Sequence, residues 1–429
     1  MEKQDNYQKT VLDNGVTIVT QSDSSFYSAT IGIWVKNGSR DEVPEKNGIS
    51  HFIEHMMFKG TKKRSAHDIA KEIDSIGGDL NAFTTRETSC YYVKVLKDHI
   101  DFAIDLLSDI FLNSVIDAED VEKERQVILQ EIRMVEDTPD DYIHDLFSST
   151  FWGDSSLGRP VLGRVENVSS FVKEDLISFI KDQYCSNRII ISVAGNVNHD
   201  HIVEKFRPSF SKLSKGSPEI ARDIPTSTSN ITVVNKALEQ VHFCLGTEGV
   251  SDSDPRRYNA YILNAILGDG MSSRLFQEIR EKNGLAYNIY SYLSSYDDCG
   301  FWGVYVGTGA ENVDDVLQRI SFELKKVKLN EISADELSSA KEQLKGNMIL
   351  GLESSDSRMQ RLAHNEICFG RHLSVEETIN EIERVKSVDV LNLANELLTG
   401  KSLNIALIGS INEDTISEKI NEMKKLLNK

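Results

Sequence analysis

The pentapeptide HFIEH at residues 51–55 sets two histidines four residues apart, with a glutamate directly before the second. In a helix, positions four apart lie on one face, so the rings of His51 and His55 can point at one cation, with Glu54 beside them. Two hydrogen-bonded histidines on an ordinary helix would be spelled the same way. A catalytic zinc site takes three protein ligands and leaves the fourth position open, so the metal reading needs a third donor from elsewhere. The run ERQVILQE supplies Glu124 and Glu131, seven apart on a stripe with Val121, Val127 and Ile128. A carboxylate on a core-facing stripe costs several kcal/mol unless it is paired or holds a cation. The plainer alternative is that both glutamates flank the stripe and reach solvent. In the metal reading, Lewis-acid activation of water combines with Glu54 as the general base, which takes a proton and returns it to the leaving amine. That is peptide-bond hydrolysis without a covalent intermediate. No G-x-S-x-G elbow or Cys/His nucleophile arrangement competes with it.

The elements that must hold these residues alternate between strand and helix patterns. VLDNGVTIVT and SATIGIWVKNG predict strands, as do DLNAFTT and CYYVKVL. HDIAKEIDSIGG, DHIDFAIDLLSDIF and AEDVEKERQVILQEIRMVED predict helices. In the HFIEH helix, Ile49, Phe52, Ile53 and Met56 form an apolar stripe that leaves the His/Glu cluster on the other side. Residues 212–230, KLSKGSPEIARDIPTSTSN, break the rhythm and predict a linker between residues 1–211 and 231–429.

The two sides of that linker echo one another. AGNVNHDHI from 194 matches IGSINEDTI from 408, an offset of 214 residues, and the helix from 120 matches one from 336, an offset of 216. The prediction is α+β: two homologous α/β-sandwich-like domains from an internal duplication, with antiparallel-rich sheets and packed helices. The repeat is chemically uneven. AYILNAI stands where HFIEH would recur, and Ala340 and Asn347 fall opposite Glu124 and Glu131. An N-terminal catalytic, zinc-binding domain and a C-terminal domain lacking metal ligands are therefore expected.

Composition narrows the setting. At 429 residues the chain exceeds what one core usually supports. A net charge of −19 argues against nucleic acid and anionic lipid as partners and suits basic peptides. Cys90, Cys185, Cys244, Cys299 and Cys368 are scattered, without a CxxC pair, and read as reduced thiols. The N-terminus lacks the apolar core of a signal peptide and the features of a transit peptide, and IIISVAG is too short to span a bilayer. A cytoplasmic, membrane-free protein is expected.

HFIEHMMFKGTKKR, with Glu131 following His55 by 76 residues, resembles the pitrilysin/insulinase metallopeptidases (the M16 family). These are inverzincins, whose H-x-x-E-H inverts the commoner H-E-x-x-H. The motif EKERQVILQEI and the chain length are most similar to the mitochondrial processing peptidase β-subunit type and its bacterial single-chain relatives. GGDLNAFTTRE, LGRPVLG and SSRLFQEIREKNGLAY carry the resemblance over essentially the whole chain. It implies His51, His55 and Glu131 as ligands of one Zn2+ per chain, Glu54 as general base and Glu124 as a supporting carboxylate. It implies that Asn81, Ala82 and Phe83 lie on an edge strand that pairs with substrate backbone, a general mode of peptide capture. It further implies that Arg280 and Tyr287 donate hydrogen bonds to the substrate carbonyl and developing oxyanion. The family encloses peptides in a four-domain chamber, which for a two-domain chain implies a homodimer whose Arg280 and Tyr287 reach the partner's site. The implied activity is a zinc endopeptidase cleaving unfolded peptides or presequences. Non-catalytic core-type subunits and partner-dependent α-type subunits share the fold. They typically lose ligands or the base, whereas all four residues stand here.

Overall fold

The computed structural model describes residues 6–217, 222–227, 229–411 and 413–428. Residues 218–221 and 228 of the expected linker, and Asn412 within the second echo, lie outside the described residues. Among the described residues, eleven strands form two sheets. The first contains β1 (Tyr7–Val11), β2 (Thr17–Ser22), β3 (Ser28–Val35), β4 (Asp79–Thr84), β5 (Ser89–Leu96) and β6 (Ile189–Gly195), in the order β1-β2-β6-β3-β5-β4. The second contains β7 (Ile231–Asn235), β8 (Val241–Glu248), β9 (Ala286–Ser295), β10 (Gly300–Thr308) and β11 (Asn404–Gly409), in the order β7-β11-β8-β10-β9. Each sheet is antiparallel apart from a single parallel pair, β2 with β6 and β7 with β11.

Strand for strand, β2-β6-β3-β5-β4 and β7-β11-β8-β10-β9 agree in order and direction, which is the internal duplication in three dimensions. The echo 214 residues apart marks the ends of β6 and β11. There Gly195 and Gly409 both adopt positive φ, +125° and +149°. A side chain at either would collide with the neighbouring strand: a Cβ would sit 2.3 Å from Ser28 O at Gly195 and 2.9 Å from Val241 Cα at Gly409.

Among the helices of the described residues, five bear on the site and the duplication: α1 (Ile49–Met57), α2 (Ala118–Asp137), α3 (Pro139–Trp152), α4 (Ala334–Gly351) and α5 (Ser355–Phe369). The first residues of α2 and α4 are 216 apart, as are those of α3 and α5. All residues of β6 and β11 are buried, so each sheet must be covered on both faces. One face of the first sheet packs on a core that includes Phe52, Ile53 and Met56 of α1 with Ile128 of α2. Its other face, through Trp34, Cys90 and Ile190, packs on Met359, Leu362 and Ala363 of α5. In the second sheet, Cys244, Phe301, Tyr305, Ala406 and Ile408 pack against Ile143, Phe147 and Phe151 of α3.

The compact units therefore do not follow the chain halves. One comprises Met1–Met134, Arg159–Arg222 and Leu350–Ser374; the other comprises Val135–Gly158, Asp223–Ile349 and Val375–Lys429. Relative to the expected boundaries at 211 and 231, each half contributes one helix, α3 or α5, to the other unit. The changeovers that carry α3 and α5 into the other unit fall near the C-terminal ends of the long helices α2 and α4. Among the described residues no helix is long and apolar enough to cross a membrane. The five cysteines are all free thiols, with Cys90, Cys185 and Cys244 buried.

Candidate metal centre and active site

The HFIEH segment is helical as expected, and Ile49, Phe52, Ile53 and Met56 are all buried, leaving His51, Glu54 and His55 on the remaining side of α1. The start of α1 is fixed from outside the helix. Its N-cap is Gly48 at φ +96°, where a Cβ would come within 2.6 Å of Gly163 Cα, so the helix start and the LGRPVLG segment touch backbone to backbone. Glycine has no side chain to cap the helix, and the carboxylate of Glu42 takes that role. Glu42 Oε2 accepts from Gly48 N (2.8 Å) and Asn47 Nδ2 (3.1 Å), and Oε1 accepts from Ser50 N (2.8 Å). This satisfies orphan amides at the positive end of the helix dipole. Arg159 donates to Glu42 O (2.6 Å), and Asn47 Nδ2 also donates to Pro160 O (3.0 Å), so LGRPVLG buttresses the turn.

Helix α2 brings both glutamates to α1. Glu131 Oε2 lies 3.4 Å from His55 Nε2 and 3.8 Å from His51 Nε2. The three ligand atoms all lie within 4.8 Å of one another. A tetrahedral zinc with ligands at about 2.0–2.1 Å separates its donors by about 3.3 Å, so the spacing fits such an ion. Glu131 Oε2 is buried and accepts no hydrogen bond, a position that a cation satisfies. Burial, and after it the neighbouring His55, push the His51 imidazolium down to about 3, so the neutral, metal-binding form prevails.

Glu124 lies behind this trio. It is buried, at 6% exposure, and its Oε2 lies 3.1 Å from His55 Nδ1. Its Oε1 accepts from the Lys59 ammonium at 2.6 Å. A carboxylate on the far ring nitrogen fixes a ligand histidine's tautomer and orientation. The stripe expected on α2 is corrected at one position: Val121 and Ile128 are buried, but Val127 is 40% exposed. At about 100° per residue, Val127 turns away from the side shared by Val121 and Ile128. Glu131 is itself half-exposed, at the rim of the buried face.

Glu54 stands beside the trio. Burial pushes its carboxyl up; a hydrogen bond from Thr84 and the neighbouring His55 oppose the rise, and Glu131 adds to it. The Thr84 hydroxyl donates to Glu54 Oε2 at 2.5 Å. Asn81, Ala82 and Phe83 lie on β4, which stands at the end of its sheet and pairs only with β5. Ala82 N donates to Asn81 Oδ1 (2.8 Å). Phe83 packs edge-on against Trp34, while Leu80 and Ala82 face the core that holds α1.

Arg280 and Tyr287 belong to the other unit. Arg280 lies on a π-helical turn, Phe276–Glu281, and Tyr287 near the start of β9. The guanidinium stacks over Phe276 (4.9 Å) and over Tyr287 (5.1 Å), and Tyr287 is 77% exposed. The structure thus gathers His51, Glu54, His55, Glu124, Glu131 and β4 in one unit and joins Arg280 to Tyr287 in the other. Sequence reasoning missed Glu42, Lys59, Thr84 and Arg159. Lys59 lies inside HFIEHMMFKGTKKR and Thr84 inside GGDLNAFTTRE, but only their partners reveal their use.

The family model for the insulinase peptidases (peptidase family M16) matches residues 17–165, and that for the M16 inactive domain matches residues 170–344. The chain belongs to this family of peptidases. It is 44% identical over 388 residues to the "uncharacterized zinc protease" YmxG of Bacillus subtilis, covering 90% of this chain and 94% of that one. It is 41% identical over 418 residues to an "uncharacterized zinc protease" of Streptomyces coelicolor, covering 96% and 91%. Among solved structures, a protease from Helicobacter pylori superposes with a TM-score of 0.87 at 24% identity, over 94% of this chain and 99% of that one. A chain of complex III2 from Candida albicans superposes with a TM-score of 0.85 at 23% identity, over 97% and 99%. At those identities the two structures share the fold.

Proposed function

We propose that the chain is a zinc metalloendopeptidase hydrolysing peptide bonds in unfolded peptides or presequence-like segments. His51, His55 and Glu131 hold one Zn2+ per chain, which supplies Lewis-acid activation of water and of the scissile carbonyl. Glu54 takes the proton from the attacking water and delivers it to the leaving amine; its burial suits a group that must both accept and return a proton. Glu124 orients His55 through Nδ1. The substrate lies extended along β4 beside Asn81, Ala82 and Phe83, where the sheet order leaves an edge. In this reading the N-terminal half is catalytic, the C-terminal half carries no ligands, and Arg280 and Tyr287 steady the substrate carbonyl and oxyanion in the partner's site of a homodimeric chamber. The net charge of −19 favours basic peptides.

The observation that carries the proposal is the convergence of two histidine nitrogens on a buried, unpartnered carboxylate oxygen, with a second carboxylate on the same face of α1. The test is metal content and cleavage of a basic quenched-fluorescence peptide by wild type and Glu54→Gln. One zinc per chain in both proteins is expected, with cleavage reduced by about 10³-fold in the variant. Absence of stoichiometric zinc in the wild type, or equal cleavage by the two, would refute it.

A further inference from the structure

We propose that Thr84 is a positioning residue for the general base, so that the strand receiving the substrate also sets the orientation of Glu54. The inference rests on the peptidase reading. Among the described residues, the Thr84 hydroxyl is the one hydrogen-bond donor to the Glu54 carboxylate. It occupies Oε2 and leaves Oε1 for the water that the base must meet. A glutamate side chain otherwise turns about several bonds, and one directed donor removes much of that freedom.

Thr84 is well placed for this. Alternation along β4 puts Leu80, Ala82 and Thr84 on the side facing α1. Thr84 is the last residue of the strand, paired with Ser89 of β5. The turn after it is closed by Thr85 N donating to Thr88 O (2.7 Å) and by Thr85 Oγ1 accepting from Thr88 N (3.0 Å). A β-branched residue between a strand pair and a closed turn has little χ1 freedom, so its hydroxyl direction is fixed by the backbone. Asn81, Ala82 and Phe83 immediately precede it on the same strand. Backbone displacement on substrate pairing therefore reaches Glu54 through one side chain.

Thr84→Val keeps the shape and removes the hydroxyl, whereas Thr84→Ser keeps the hydroxyl. In Thr84→Val we expect kcat to fall by about 10²-fold with KM within about twofold, as misplacement of a reacting group would produce. Zinc content and thermal midpoint should be unchanged, and a crystal structure of the zinc-free variant should show Glu54 in more than one rotamer. Thr84→Ser should keep near-wild-type kcat and one Glu54 rotamer. Wild-type kcat in Thr84→Val, a rise in KM alone, or equal impairment of Ser and Val would each overturn the inference. Wild type and Glu54→Gln are measured alongside. If neither cleaves, or both cleave equally, the peptidase reading falls and takes this one with it. If only Glu54→Gln is dead and Thr84→Val is normal, this inference alone falls.

Discussion

At the scale of single residues, the centre is a chain of charges whose order explains each member. Glu131 faces the two Nε2 atoms, Glu124 faces Nδ1 of His55, and the Lys59 ammonium faces Glu124. Lys59 lets the buried Glu124 carboxylate stand behind the candidate ligands without leaving its charge uncompensated. Replacing Glu124 by Gln removes the charge shared between His55 and Lys59. Zinc affinity should then weaken by about 10- to 100-fold, read by competition with a chelator of known strength. A shift under about twofold would mean that Glu124 does not tune the ligand. The acidic residues were legible in the sequence because buried carboxylates call for a partner. Lys59 was not, because a lysine after an apolar run is most simply read as solvated, and only packing brings Glu124 to it.

At the scale of the element, α1 shows how a short helix is fixed in place around its two candidate ligands, His51 and His55. Its apolar stripe anchors one side, and Glu42 caps its first turn from a loop. Burial, the largest influence on Glu42, outweighs the donors from Ser50, Gly48 and Asn47 that pull its carboxyl down, and raises it from 4.5 to about 7. The folded pKa lies above the unfolded one, so between them the folded state binds more protons. The stability from this group is complete below about 4.5 and is lost as pH rises through about 7. Urea unfolding of wild type and Glu42→Gln at several pH values should show wild type losing ground to the variant over that window. A pH-independent difference would count against it. The stripe of α1 could be read directly from its spacing. The cap could not, because Gly48 has no capping side chain and nothing local marks Glu42 as its substitute.

At the scale of the whole molecule, the proposed dimer makes two inactive chains complementary. A Glu54→Gln chain keeps Arg280 and Tyr287 but lacks a base. An Arg280→Ala/Tyr287→Phe chain keeps the base but lacks the pair. Each variant alone should be inactive, and mixing them under subunit exchange should restore cleavage at mixed dimers. Light scattering should give about twice the 48.2 kDa chain mass. No recovery on mixing, in a protein that does dimerise, would show that the pair does not act in the partner's site.

By itself the sequence put forward the candidate residues His51, Glu54, His55, Glu124 and Glu131 and the duplication, because local spacing brings them to notice: four residues along α1, seven along α2, and about 215 between repeats. The tertiary structure alone decided which helix covers which sheet. α3 and α5 occupy equivalent places in the repeat, and an apolar helix face fits either half equally well as a pattern, yet each covers the sheet of the other half. The tertiary structure also decided how the candidate site is supported. Lys59 and Thr84 lie within six residues of a predicted element or inside one, but each works through a partner far along the chain that only the fold brings to it, and Glu42 reaches back to α1 only through the folding of the loop between them. Spacing along the chain records what one element can present; it holds no record of what another element will set against it.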